Sequence, residues 1–191
     1  MTDDVPQFTG ITRYRDPRGR FSFRYPWDWY AGRLDQDREG VMLRPGADDP
    51  DTYVAAWVST LPADVTAGDL PELRDGFDAG LATLPEREVL EAREGTVGGA
   101  VEMERTVTFR EGEHLRQRRI RTLYAGRTQL VFVYQGATRR EYAYWLAMGN
   151  YCWATLQLAE EIWYGADPEL GRAAPGTPRT AAEPGVPDQV A

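Results

Sequence analysis

The chain has 191 residues, enough for one well-buried domain and short for two. A hydrophobic content of 42% with 12% aromatic residues belongs to a folded chain rather than a disordered one. The net charge of −8 and a pI near 4.8 exclude nucleic acid and anionic membrane as electrostatic partners.

Residues 1–10 are polar and are expected to form a flexible N-terminus. Residues 11–15 and 21–25 predict a hairpin across the turn Asp16-Pro17-Arg18-Gly19. Phe21, Phe23 and Tyr25 alternate with Ser22 and Arg24, the period of a strand with one buried face. Pro26 cannot donate to a ladder, so the strand ends there and Trp27 and Trp29 fold over the edge of the core. At least one of the two should be largely buried. Residues 29–34 and 40–44 read as two short strands joined by the charged turn at 35–40. An acidic loop at 47–51 leads into 52–61, where the run from Tyr53 to Val58 is apolar on both faces and suits a covered strand.

Asp69-Leu70-Pro71-Glu72 predicts a helix start, with Asp69 as cap and Glu72 reaching back. Leu70, Leu73, Phe77, Leu81 and Leu84 then form one apolar stripe, and Pro85 ends the helix. Gly76 and Gly80 weaken it by ~1 kcal/mol each relative to Ala, a cost that close approach to the sheet would explain. Four strands follow, near 86–94, 99–110, 113–125 and 128–135. Thr138 and Glu141 make a capping box for a second helix over about 139–154. That helix carries Tyr142, Trp145, Leu146, Gly149, Cys152 and Trp153 on one face. Residues 155–158 return as a short strand, and the Pro/Gly/Ala-rich stretch 166–191 is expected to be a disordered tail behind a single domain at 11–165.

Two helices among antiparallel strands, some buried on both faces, indicate an α+β fold: an antiparallel sheet in an α/β/α sandwich. Tyr14, the turn after it, the run Phe21-Ser22-Phe23-x-Tyr25-Pro26 with its following Trp27, and the Glu141-Tyr142-x-x-Trp145 helix resemble the PsbP-like superfamily. The resemblance spans roughly residues 12–160 and implies the same sandwich. That superfamily includes the extrinsic photosystem II subunit, the Ran-binding import factor and bacterial proteins of varied role. The shared residues are core-forming aromatics, which speak for fold rather than chemistry. Neither the oxygen-evolution role nor any Ran-binding residues are carried over to this chain.

Groups for catalysis are scarce. The chain has two serines, Ser22 and Ser59, one histidine, His114, and one cysteine, Cys152. Neither serine sits in Gly-x-Ser-x-Gly, and Cys152 falls on the apolar helix face as a small buried thiol. One cysteine allows no internal disulfide and implies no oxidising compartment. No leader or lipid-anchor motif is present, and the apolar window 142–159 is interrupted and amphipathic, so a cytoplasmic location without a membrane span is expected. Asp35-x-Asp37-x-Glu39-Gly40 imitates half a calcium loop, but Gly46 stands where a bidentate Glu is required. No cofactor, metal or catalytic residue is expected.

Two surfaces remain. Tyr144, Met148 and Tyr151 recur at helical spacing away from the Trp145/Cys152 face. They are either wedged under the N-terminal hairpin or tail, or an exposed protein-binding patch. The second is the hairpin 99–125. With Glu111-Gly112 as its two-residue turn, Glu104 faces Arg119, Glu102 faces Arg121, Arg105 faces Arg118 and Val107 faces Arg116. Arg105, Arg116 and Arg118 then make a basic tip, either solvated or open to an acidic partner. The leading expectation is a non-enzymatic, cytoplasmic domain that binds an unidentified protein through the helix or hairpin surface. The alternative is a carrier or chaperone sheltering an apolar ligand or helix between sheet and helix, as type VI secretion effector chaperones of similar fold do. A lined cavity of several hundred Å3 would favour the alternative.

Overall fold

A computed structural model describes residues 6–34 and 38–166. The expectations for residues 1–5, for the tail 167–191 and for Asp35 and Asp37 lie outside the described residues. β1 (Ile11–Arg15) and β2 (Phe21–Pro26) pair antiparallel with Tyr14 opposite Phe23, and β9 (Gln157–Leu158) joins β2 to make a three-stranded sheet. Asp16 closes the turn between β1 and β2. Its carboxylate accepts from the Arg18 and Arg20 amides at 3.1 and 3.2 Å and from the Arg20 guanidinium at 2.7 and 2.8 Å. Burial pushes this acid up, but the Arg20 and Arg18 hydrogen bonds and the Arg20 charge outweigh it and hold it below the usual carboxylate range. Its contribution to stability is therefore complete above about pH 4, the unfolded value, and is lost as pH falls through the lower folded value. Acid denaturation of Asp16→Asn should start from a lower stability at neutral pH and show a shallower fall in this window than wild type.

The larger sheet contains β3 (Tyr30–Gly32), β4 (Gly40–Arg44), β5 (Tyr53–Val65), β6 (Glu88–Val97), β7 (Ala100–Glu111) and β8 (His114–Gly136) in the order β3-β4-β5-β8-β7-β6. β8 is not one straight strand. Extended, it would run about 75 Å, and Arg118 and Gln135 would stand more than ~50 Å apart. Yet the Arg118 Nε–H donates to Gln135 Oε1 at 2.7 Å, and Gln129 donates to the Tyr124 hydroxyl at 3.0 Å. The run doubles back at Gly126, whose φ of +55° suits glycine. Residues 114–124 pair with β7 and 126–135 with β5, in agreement with separate strands near 113–125 and 128–135.

The register of the β7–β8 hairpin corrects the sequence reading. Glu111 pairs with His114, so the two-residue loop is Gly112-Glu113, with Gly112 first at φ +60°. A tight hairpin needs positive φ at its first loop position, and Gly112 supplies it there rather than second. Glu104 consequently faces Arg121, Arg119 faces Thr106, Arg118 faces Val107 and Arg105 faces Ile120. The change shifts the partner by two residues. Every side chain keeps its face under such a shift: Met103 and Ile120 share one side in either register, so the apolar pattern cannot distinguish the two.

Each face of the large sheet is covered differently. On one, the small sheet and α2 (Arg139–Ala154) pack Phe21, Phe23, Trp29, Tyr142 and Cys152 against Val54, Ala56, Leu130, Phe132 and Tyr134. The Thr138 hydroxyl caps α2 by accepting from the Glu141 amide at 3.2 Å. Gly149 lets α2 settle directly on the sheet, because a Cβ there would stand 2.7 Å from the Tyr134 ring. A short helix, α3 (Glu160–Ala166), follows β9; its seven residues are too few to show a period in the sequence. On the opposite face lies α1 (Leu70–Leu81) over Val107, Phe109, Ile120, Val101, Met103 and Tyr124. Asp69 does not cap α1. Its carboxylate accepts from the Thr66 amide at 2.7 Å and the Thr66 hydroxyl at 2.9 Å, holding the 3-10 turn Ala67–Asp69 in front of the helix.

Candidate functional site

α1 leans over the β7 half of its face and leaves an open groove beside β5. The groove has a volume of about 810 Å3, within the ~300–1,000 Å3 of ligand pockets. Its floor is Trp57, Ile120, Tyr124, Val131 and Val133, and its helix wall is Leu73, Gly76, Phe77, Gly80 and Leu81. Gly76 and Gly80 do not bring α1 close to the sheet. A Cβ on either would meet nothing within 4 Å, so the two bare turns of helix look into open space. The far end of β5, from Leu61 to Val65, closes one end together with Asp69 and Glu72. Arg38, its guanidinium 4.8 Å over the Trp57 ring, lines the β5 side. The glycine pair in an otherwise well-patterned helix was the visible signal for this site, but its direction could not be read from periodicity.

The basic tip is not formed. Arg105 is only 4% exposed, paired with Asp78 at 3.0 Å and Glu94 at 3.5 Å. Arg116 is 6% exposed, between Asp51 at 2.6 Å and Glu111 at 3.1 Å, and donates to the Ala137 carbonyl at 2.7 Å. Both project onto the α1 face of the sheet, where they are covered and neutralised internally. Arg118 lines the groove. Tyr144, Met148 and Tyr151 are half-buried; Met148 packs against the α2 core, and Tyr144 meets Trp145 edge-on at 5.0 Å. The stripe is thus neither a flat exposed patch nor a sealed interior face. Exposed aromatic rings stand elsewhere, at Phe8, Trp27, Tyr30 and Trp163.

Cys152 is fully buried, and burial pushes its thiol up to about 12. At pH 8 the native protein should therefore show almost no reaction with a thiol-specific reagent such as Ellman's, and one equivalent after unfolding in denaturant. A full reaction before unfolding would refute this placement. Burial likewise raises Tyr134 and Tyr142, whose ring centroids are 4.7 Å apart, with the Tyr134 hydroxyl donating to the Tyr142 carbonyl. These groups serve packing. Among the described residues no three His, Cys, Asp or Glu side chains stand together as metal ligands, and no helix is long and apolar enough to cross a membrane.

An antiparallel sheet with α1 on one face and α2 with a small sheet on the other, centred on the Phe21–Pro26 strand, defines a domain of the PsbP-like fold. The chain is similar to the solution structure of cyanobacterial PsbP (CyanoP) from Synechocystis sp. PCC 6803, with a TM-score of 0.60 and 14% identity over 80% of this chain and 95% of that one. It is similar also to LpqN, involved in cell envelope biogenesis of Mycobacterium tuberculosis, with a TM-score of 0.56 and 16% identity over 78% and 91%. The Ran-binding protein Mog1p of Saccharomyces cerevisiae aligns with a TM-score of 0.50 and 9% identity over 84% and 98%. At these identities the likeness is one of fold. No family model and no curated relative matches the chain.

Proposed function

We propose that this protein is a non-enzymatic carrier or chaperone that shelters an apolar group in the groove between α1 and the large sheet. The observation that carries this reading is the groove itself: apolar on floor and wall, and bordered by a helix face whose two glycines leave it empty. A lined cavity of this size was the feature that separates a sheltering protein from one binding through a flat patch. A cytoplasmic setting is part of the proposal, supported by the lone buried thiol, which needs no oxidising compartment.

Uptake of a neutral environment-sensitive dye such as Nile red tests it. Wild type should bind the dye, and Gly80→Leu, which extends a side chain into the open space, should lose it. The variant should fold, because leaving glycine favours the helix by roughly 0.5–1 kcal/mol. Absence of dye uptake by wild type, or full uptake by a folded Gly80→Leu protein, would reject the groove. A second reading, a protein-interaction domain, is favoured by Trp27, which is 59% exposed. Mog1p, described as Ran-binding, shows that the fold admits a protein partner. If that surface is used, Trp27→Ala should abolish partner capture while leaving dye uptake unchanged.

A further inference from the structure

The groove has a polarity that bears on what it holds. The buried and half-buried arginines of β7 and β8 are Arg105, Arg116, Arg118, Arg119 and Arg121. Four of them have a carboxylate within 4.0 Å. Arg118 has none among the described residues. Its Nε–H donates to Gln135 Oε1, its Cζ lies 4.6 Å over the Phe109 ring, and its side chain lines the groove. A half-buried guanidinium with no carboxylate in direct contact is costly in an apolar surrounding, and neutral partners offset only part of that cost. The groove's carboxylates, Asp64, Asp69 and Glu72, stand at the opposite end. Along β8 that end begins about 20 Å away, the rise of the six residues from Arg118 to Tyr124. Between the two ends the floor is apolar.

We infer that the occupant is a long-chain carboxylate. Its head lies on Arg118, and its chain runs along Val133 and Val131 beneath the bare face of α1. Charge selects the orientation, since the acidic end repels an anionic head and Arg118 lacks a contacting carboxylate that such a head would supply. The inference rests on the groove reading above and adds the chemical class of the ligand and the residue that selects it.

The test titrates the full chain, below micelle-forming concentrations, with hexadecanoate, hexadecan-1-ol and hexadecylammonium. Binding is read by displacement of the neutral dye and by the shift in melting temperature. Hexadecanoate should bind about tenfold more tightly than the alcohol, the size of one charge-assisted hydrogen bond, and the affinity of hexadecylammonium, whose head suits the acidic end, should not fall in Arg118→Gln. Arg118→Gln should bring hexadecanoate down to the level of the alcohol and leave the alcohol unchanged. Arg118→Lys should keep most of the preference, which a purely structural hydrogen bond to Gln135 would not explain. Equal binding of acid and alcohol, unaffected by Arg118→Gln, would overturn the inference and leave the groove standing. Displacement of the dye by an apolar helical peptide but by none of the three chains would do the same, with a polypeptide as the occupant. Failure of the dye itself to bind would remove both.

Discussion

Glu104→Gln should lower folding stability by about 3–5 kcal/mol, the cost of removing one partner from a buried ion network. Glu104 is 6% exposed on the α2 face of β7 and hydrogen-bonds the Arg121 guanidinium, with Arg119 Nε 3.6 Å from its other oxygen. Arg121 also lies 4.9 Å over the Trp153 ring, and Arg119 reaches Asn150 on α2 at 2.9 Å. Two guanidiniums thus converge on one carboxylate beneath a helix, and neutralising it leaves Arg121 with no carboxylate in contact among the described residues and Arg119 with only the more exposed Glu91, 3.7 Å away. Urea unfolding of the variant measures the loss. A second variant removes the charge from both sides: Glu104→Gln with Arg121→Met should recover part of it, because the uncompensated charge rather than the lost attraction dominates. A loss below 1 kcal/mol for Glu104→Gln would show that water reaches these arginines and that the network is a surface one.

The same network marks where sequence reasoning was sufficient and where it failed. Glu102, Glu104, Thr106 and Thr108 stand on one face of β7 and Val101, Met103, Val107 and Phe109 on the other, as their alternation in the sequence requires. Period two fixes faces, so it survives any even shift of register. It could not choose between Arg119 and Arg121 as the partner of Glu104, since both choices pair opposite charges on the same side. The loop glycine decided, through its φ. Burial of Arg105 and Arg116 was hidden for another reason. Their carboxylate partners, Asp78 and Asp51, are 27 and 65 positions away, on α1 and in the loop before β5, and no local pattern connects them. Capping signals behaved similarly: Thr138 and Glu141 hold the start of α2, whereas Asp69, followed by an equally good helix, turns back to Thr66. Gly76 and Gly80 advertised that something unusual happens on α1. Only the position of that helix over β7 shows that their face meets a groove.

The aromatic stretch after β2 supplies the second large effect, and it separates two residues that look alike in sequence. Trp29 is 6% exposed, with its ring edge-on to Trp145 at 5.5 Å in the α2 core. Truncation to Ala should cost about 3–5 kcal/mol, measured by chemical denaturation. Trp27, two residues earlier, is 59% exposed; its indole lies over Gly10 and its Nε1–H donates to the Thr9 hydroxyl at 2.6 Å. Trp27→Ala should cost less than about 1 kcal/mol, as for a surface position whose side-chain hydrogen bond goes to another exposed side chain. The buried indole has one defect: Trp29 Nε1 finds no hydrogen-bond acceptor among the described residues. An unpaired buried N–H costs roughly 1–3 kcal/mol, so Trp29→Phe discards that penalty along with part of the ring volume. Trp29→Phe should therefore lose less than half of what Trp29→Ala loses. If Phe proved as damaging as Ala, the indole N–H would have to be paired in solution. Equal losses for Trp27→Ala and Trp29→Ala would instead mean that the N-terminal segment beside Trp27 belongs to the core.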